Sequence, residues 1–174
     1  RRGGRGRVAG REGRGRGGGQ TRWGFSDGRG LLVTEAGTER EDGIWVRDGD
    51  PEEQPPLDDL GPDADTLDAD HLAPLLAAQS MRLHGLLRDQ HKIAGLGRRL
   101  ANEICHRAQL SPFATTSKLD EREVRALAEA IQVCVHEGLA YARGLGEVSS
   151  SADRPGNVHH RVGPSCLRCG VDLR

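Results

Sequence analysis

The chain has 174 residues, enough for one domain or one and a half, and its 25 Gly and 3% aromatic content argue against one large core. The net charge of −1 hides a steep asymmetry: residues 1–30 carry nine Arg against two acids, residues 31–70 two Arg against fourteen acids, and residues 71–144 ten basic against seven acidic side chains. Whole-chain charge is therefore a poor guide to partners, and no run of about 18 apolar residues exists to span a membrane.

Residues 1–21 form a low-complexity segment; the first twenty hold nine Gly and seven Arg without apolar periodicity. Two readings stand for it: an Arg-Gly arm with affinity for nucleic acid, or low-complexity sequence at the edge of a badly bounded reading frame. From Trp23 to Val46 the chain reads as β. Gly30–Glu35 and Gly43–Arg47 are the two β-rich runs, and a domain is drawn over 22–50. Two strands are marginal alone, so this region reads as the remnant of a larger sheet. Residues 51–59 are an acidic, proline-rich linker.

A helical unit is predicted over 60–144. Leu60-Gly61-Pro62-Asp63 leads into aspartates that supply N-cap candidates. Leu72, Leu75, Leu76, Leu83, Leu86 and Leu87 share one face at helical spacing, an apolar helix running into a polar turn. The turn leads to Gly95-Leu96-Gly97, the basic pair Arg98 and Arg99, and a second helix over 99–109 with Leu100, Ile104 and Ala108 inward. Ser111-Pro112 stops it. Asp120-x-x-Glu123 reads as a capping box for a third helix, which Gly144 ends. Two glycines let a backbone approach a ligand, and a helix N-terminus beside arginines suits phosphate. The other reading of this turn is glycine needed only for helix packing. Cys105 and Cys134 fall among apolar residues and are expected as small buried hydrophobes. Glu103 is expected as a buried partner of backbone groups, and His84, His91, His106 and His136 as polar surface or cap residues.

The tail from 145 to 174 contains Cys166-Leu167-Arg168-Cys169-Gly170. Two thiolates on one turn reach one tetrahedral ion, and the preceding Gly163-Pro164 loop favours metal over redox use. Four ligands are needed, so this is half a zinc site, with His159 and His160 as less favoured substitute donors. The tail is expected to be poorly ordered.

Taken together, Asp89-Gln90, Ile93 to Gly97, Ala101-Asn102-Glu103-Ile104, Ala108 and Pro112, followed by the third helix and Cys166-x-x-Cys169, closely resemble the formamidopyrimidine-DNA glycosylase / endonuclease VIII family. The resemblance covers roughly residues 22–174, strongly from 60 onward. It implies a mainly α fold: a helix–two-turn–helix domain preceded by a remnant of a β-sandwich domain and followed by a partial zinc finger. Such proteins remove oxidised bases and cut the abasic strand through an N-terminal proline amine, and they flip the damaged nucleotide out of the stack. The resemblance implies phosphate contacts at Gly95, Gly97, Arg98 and Arg99, with Arg98 where the family usually has asparagine. Zinc would be bound by Cys166 and Cys169. The partner implied is double-stranded DNA with damaged bases or abasic sites, met by a nucleoid-associated monomer in a bacterial cytoplasm.

The chain opens Arg1-Arg2-Gly3, has no lysine before Lys92, and stops five residues after Cys169. It is therefore expected to be a fragment that retains damaged-DNA binding without Schiff-base lyase activity, and no catalytic residue is assigned. Two other readings are kept: a non-enzymatic nucleic-acid-binding protein using the same motif, as a ribosomal protein does, and a non-functional gene remnant.

Overall fold

The structure is a computed structural model that describes residues 19–34, 45–46, 48–145, 154–161, 163 and 165–173. The chain divides into two compact units, residues 1–48 and 49–174.

In the first unit, β1 (Gly19–Gly24) pairs antiparallel with β2 (Gly30–Thr34), placing Trp23 opposite Leu31 and Arg22 opposite Leu32. The reversal is closed by Phe25 N–H donating to the Arg29 carbonyl (2.9 Å) and by Asp27, which accepts from Arg29 N and Nε. Among the described residues the partner of β2 is the segment before it. The Gly43–Arg47 run lies outside the described residues except for Trp45 and Val46, which are exposed and assigned to no strand.

The second unit holds α1 (Ala69–Ala77), α2 (Leu83–Arg88), α3 (Arg98–Ala108) and α4 (Glu121–Leu145). Helix α4 packs against α3 and α1, and α2 against α3. The core between them is aliphatic: Leu72, Leu76, Leu83, Leu86, Leu87, Ile93, Leu96, Ile104, Leu127 and Ile131 are fully buried. Burial of each such side chain contributes about 1.5–3 kcal/mol. No helix of the described residues is long and apolar enough to cross a membrane.

Asp68 caps α1 by accepting from His71 N–H (2.9 Å). The capping box of α4 forms reciprocally: Glu123 N–H donates to Asp120 Oδ1 (2.8 Å) and Asp120 N–H to Glu123 Oε2 (2.9 Å). Two boundaries differ from the sequence reading. The single leucine face is carried by two helices, because the chain breaks at residues 78–82. Thr116, buried, replaces the missing helical bonds there: its hydroxyl donates to the Gln79 carbonyl (2.6 Å) and its N–H to that of Met81 (3.0 Å). Leu83 and His84 N–H groups donate to the carbonyls of Ala114 and Pro112, so α2 starts on the loop after α3. At the far end, α4 continues through Gly144 to Leu145.

Candidate nucleic-acid interface

The turns between α2 and α3 are built by Asp89 and Gln90. The Asp89 carbonyl accepts from Lys92 and Ile93 N–H groups (both 2.9 Å), and its carboxylate accepts from His91 N–H (3.0 Å). The Gln90 amide reaches across the loop: Nε2 donates to the carbonyls of Leu96 (2.8 Å) and Arg88 (3.1 Å), and Oε1 accepts from Gly95 N–H (2.9 Å). The lead-in strand closes the other side. Gly61 N–H donates to the Gln90 carbonyl, Ala94 N–H to that of Pro62, and Ala64 N–H to that of Ala94. A Cβ on Gly61 would stand 2.4 Å from the Lys92 carbonyl carbon, so only glycine allows this approach. Leu96, fully buried, anchors the loop in the core while its glycine neighbours face out.

The two glycines differ in their reasons. Gly95 has φ +90°, a region that disfavours side chains. Gly97 is extended at φ −96° and forms the N-cap of α3 without a side-chain cap. A Cβ at either position meets nothing within 4 Å. Helix packing therefore requires glycine at neither position, and the space outside the turn is open.

Charge sharpens this. The first turns of α1 and α4 carry acids (Asp70; Glu121 and Glu123), as the positive end of a helix favours. The first turn of α3 carries none and opens with Arg98 and Arg99. Cations at that end oppose the helix dipole in the free protein, and an anion outside the turn reverses the sign. Arg98 is exposed; Arg99 is half-buried and donates to the Pro155 carbonyl (3.3 Å).

The described part of the tail is docked on α3. Glu103, buried, is the latch: Oε1 accepts from Val158 and His159 N–H groups (both 2.9 Å), and Oε2 from Asn157 N–H (2.8 Å) and Nδ2 (3.1 Å). Burial pushes its carboxyl up, and the hydrogen bonds from His159, Val158 and Asn157 together outweigh this, leaving it below the usual range. The latched segment sets His159 against Asn102 (2.9 Å) and against the His160 ring, with centroids 4.2 Å apart. Burial first, then His160, Arg99 and Arg98, hold the His159 imidazole below its ordinary value, with Glu103 opposing. His159 thus sits beside the α3 arginines.

Cys166 and Cys169 share a tight turn in which Cys166 N–H donates to Val171 and Gly170 N–H to the Cys166 carbonyl (both 2.8 Å). Backbone N–H groups of Cys169 and Arg168, then His106, draw the Cys166 thiol down to about 6. His106 Nε2 lies 3.3 Å from Cys166 Sγ, and Arg168 donates to the His106 carbonyl at the C-terminus of α3 (2.5 Å). Among the described residues no group of three His, Cys, Asp or Glu can hold a metal. The imidazole that approaches Cys166 is that of His106. By contrast, burial pushes Cys105 up to about 11 and also raises Cys134, which makes both inert.

Sequence patterns pointed to the glycine turn and the cysteine pair. They did not show the Gln90 clamp, the contact of Asn102 with His159, or that of His106 with Cys166. The last two join residues 57 and 60 positions apart, which no local pattern reports.

The fold and the turn define a helix–two-turn–helix unit. Comparison with known proteins agrees: residues 60–150 match the formamidopyrimidine-DNA glycosylase H2TH domain. An uncharacterized formamidopyrimidine-DNA glycosylase-like protein of Mycobacterium tuberculosis is 36% identical over 117 residues, covering 66% of this chain and 74% of that protein. The formamidopyrimidine-DNA glycosylase of Moorella thermoacetica is 33% identical, covering 68% of this chain and 47% of its own. Among solved structures, the MutM (Fpg) protein of Thermus thermophilus aligns with a TM-score of 0.58 at 32% identity, covering 82% of this chain and 54% of that one. The chain belongs to the formamidopyrimidine-DNA glycosylase family. It spans about half the length of the Moorella and Thermus relatives.

Proposed function

We propose that the chain serves DNA base-excision repair by binding duplex DNA at damaged or abasic sites, with Gly95, Gly97 and Arg98 receiving a backbone phosphate and Arg99 beside them. The observation that carries this reading is the first turn of α3: an open glycine pair and two arginines where a helix otherwise favours acids. A Lactococcus lactis Fpg complexed with DNA containing an abasic site aligns with a TM-score of 0.54 at 25% identity, covering 66% of this chain and 45% of that one. Excision of oxidised bases and cleavage of the abasic strand are the reaction class by family. His159 lies beside Arg98 and Arg99 as a hydrogen-bonding imidazole, its charged form disfavoured by burial and then by His160 and the arginines. Cys166 and Cys169 would hold half of a zinc site, whose contribution is structural order. We further propose that the protein acts as a monomer in a bacterial cytoplasm.

Fluorescence anisotropy tests the reading with two duplexes at stated salt, one carrying an abasic-site analogue and one undamaged. Tighter binding to the first is expected, and equal affinity would sink lesion recognition. Arg98→Ala is expected to weaken binding to both and to reduce the log–log salt slope by about 1, the signature of one lost phosphate contact.

A further inference from the structure

Asn102 lies one helical turn after Arg98, so the two side chains share a face of α3. Beside them Arg99 and Glu103, also one turn apart, hold residues 155–159. Arg99 donates to the Pro155 carbonyl, and Glu103 accepts from the N–H groups of Asn157, Val158 and His159. The held segment brings the His159 ring onto Asn102, with Asn102 Nδ2 2.9 Å from His159 Nδ1. His159 is thus tied by its backbone to Glu103 and by its ring to the residue before Glu103.

An amide NH2 donates and does not accept. Nδ1 is therefore the acceptor and carries no proton. Burial, then His160 and the arginines, disfavour the charged imidazole, and in the neutral ring the remaining proton belongs to Nε2. His160 stands edge-on against the ring, centroids 4.2 Å apart, from a backbone at φ +60°, which residues other than glycine rarely adopt. Three neighbours thus set where the ring lies and how it is turned. Among the described residues Nε2 has no hydrogen-bond partner, and it is not sealed from solvent. It is available to an acceptor outside the chain.

We propose that Asn102 is a positioning residue: by donating to Nδ1 it fixes His159 as the Nε2–H tautomer and presents that N–H to a phosphate of duplex DNA lying along α3 beside Arg98. This rests on the reading that the N-terminal end of α3 meets DNA. The arginines attract phosphate through charge, whereas a neutral donor of fixed direction selects one register of the backbone.

Nitrogen NMR of the 174-residue chain at neutral pH reads the tautomer before any DNA is added; the His159 signals are those missing from His159→Ala. The Nε2–H form is expected in the wild type and a mixture of both tautomers in Asn102→Ala, with amides 157–159 still protected by Glu103. A wild-type Nδ1–H form, or a tautomer indifferent to Asn102, overturns the proposal. Duplex binding is read in the same variants. His159→Ala should weaken it about tenfold, the loss of one hydrogen bond to a charged group, without changing the log–log salt slope, because a neutral donor releases no counterion. His159→Gln, whose amide can place a donor near the position of Nε2, should restore most of the affinity. Asn102→Ala should weaken binding as well, and the double variant no more than His159→Ala alone, the mark of two residues acting as one unit. Losses that add, or unchanged affinity in His159→Ala while Arg98→Ala weakens binding, overturn the proposal and leave the α3 reading in place. Unchanged affinity in both His159→Ala and Arg98→Ala takes that reading down as well.

Discussion

The hairpin and the helical unit answer the same problem with different success. In the hairpin, Trp23, Phe25, Leu31 and Leu32 stay between 44% and 54% exposed, although they are among its most apolar residues. In the helical unit ten aliphatic side chains are sealed from solvent. Strand pairing alone satisfies backbone groups but gives side chains nothing to pack against, and two-stranded ribbons are marginal for that reason. Four helices around one core satisfy both needs. Among the described residues the sealed apolar core therefore lies in the second unit, and so does every element that shapes the α3 turn.

The sharpest way to break this contrast is truncation in each unit. Leu86→Ala, at the centre of the helical core, is expected to destabilise by about 2–5 kcal/mol. Leu32→Ala in the hairpin should change global stability by less than about 0.5 kcal/mol. Thermal or urea denaturation reads both, and equal losses would dissolve the distinction.

A smaller effect is expected at the latch. Glu103→Gln replaces an acceptor of four hydrogen bonds with a group that itself donates, at a cost of about 1–3 kcal/mol. The readout is hydrogen exchange: amides 157–159 should lose protection while the core of α4 keeps it. The same contribution responds to acid. Because the folded-state carboxyl is held below its ordinary value of 4.5, its stabilisation is full above that pH and lost as pH falls through the folded value. Equal protection of amides 157–159 in the wild type and in Glu103→Gln would show that Glu103 is not the latch.

A modest stability change is expected at Gly97→Ala, where a methyl group meets nothing within 4 Å. Alanine is a poorer N-cap residue than glycine, at a cost of up to about 1 kcal/mol. Affinity for duplex DNA should nevertheless fall about tenfold, a loss near 1.4 kcal/mol, as the methyl fills the space kept for a phosphate. Unchanged DNA affinity in this variant would mean that the open turn has no ligand.

Periodicity and caps located α3, α4 and the leucine face before any coordinates, because their determinants are local: apolar spacing and the reciprocal pair Asp120 and Glu123. The break between α1 and α2 was illegible. Its compensation comes from Thr116, 37 residues beyond Gln79. Docking of the tail was illegible for the same reason, since Glu103 finds its donors 54 to 56 positions later. At the candidate interface, residue types and spacing were readable in Gly95 to Arg99. That nothing inside the protein asks for glycine at position 97 is a statement about empty space, which a sequence does not encode.

Gln90 holds the connection between α2 and α3 with one amide, tied at Arg88, Gly95 and Leu96. The thermodynamic consequence lies in association rather than in folding. For the phosphate contact proposed above, a turn held in shape by these bonds has little conformational entropy left to surrender, so more of the contact energy would be realised as affinity. Encounter then needs no slow rearrangement of this loop, and its rate is set by diffusion and by the field of the neighbouring arginines.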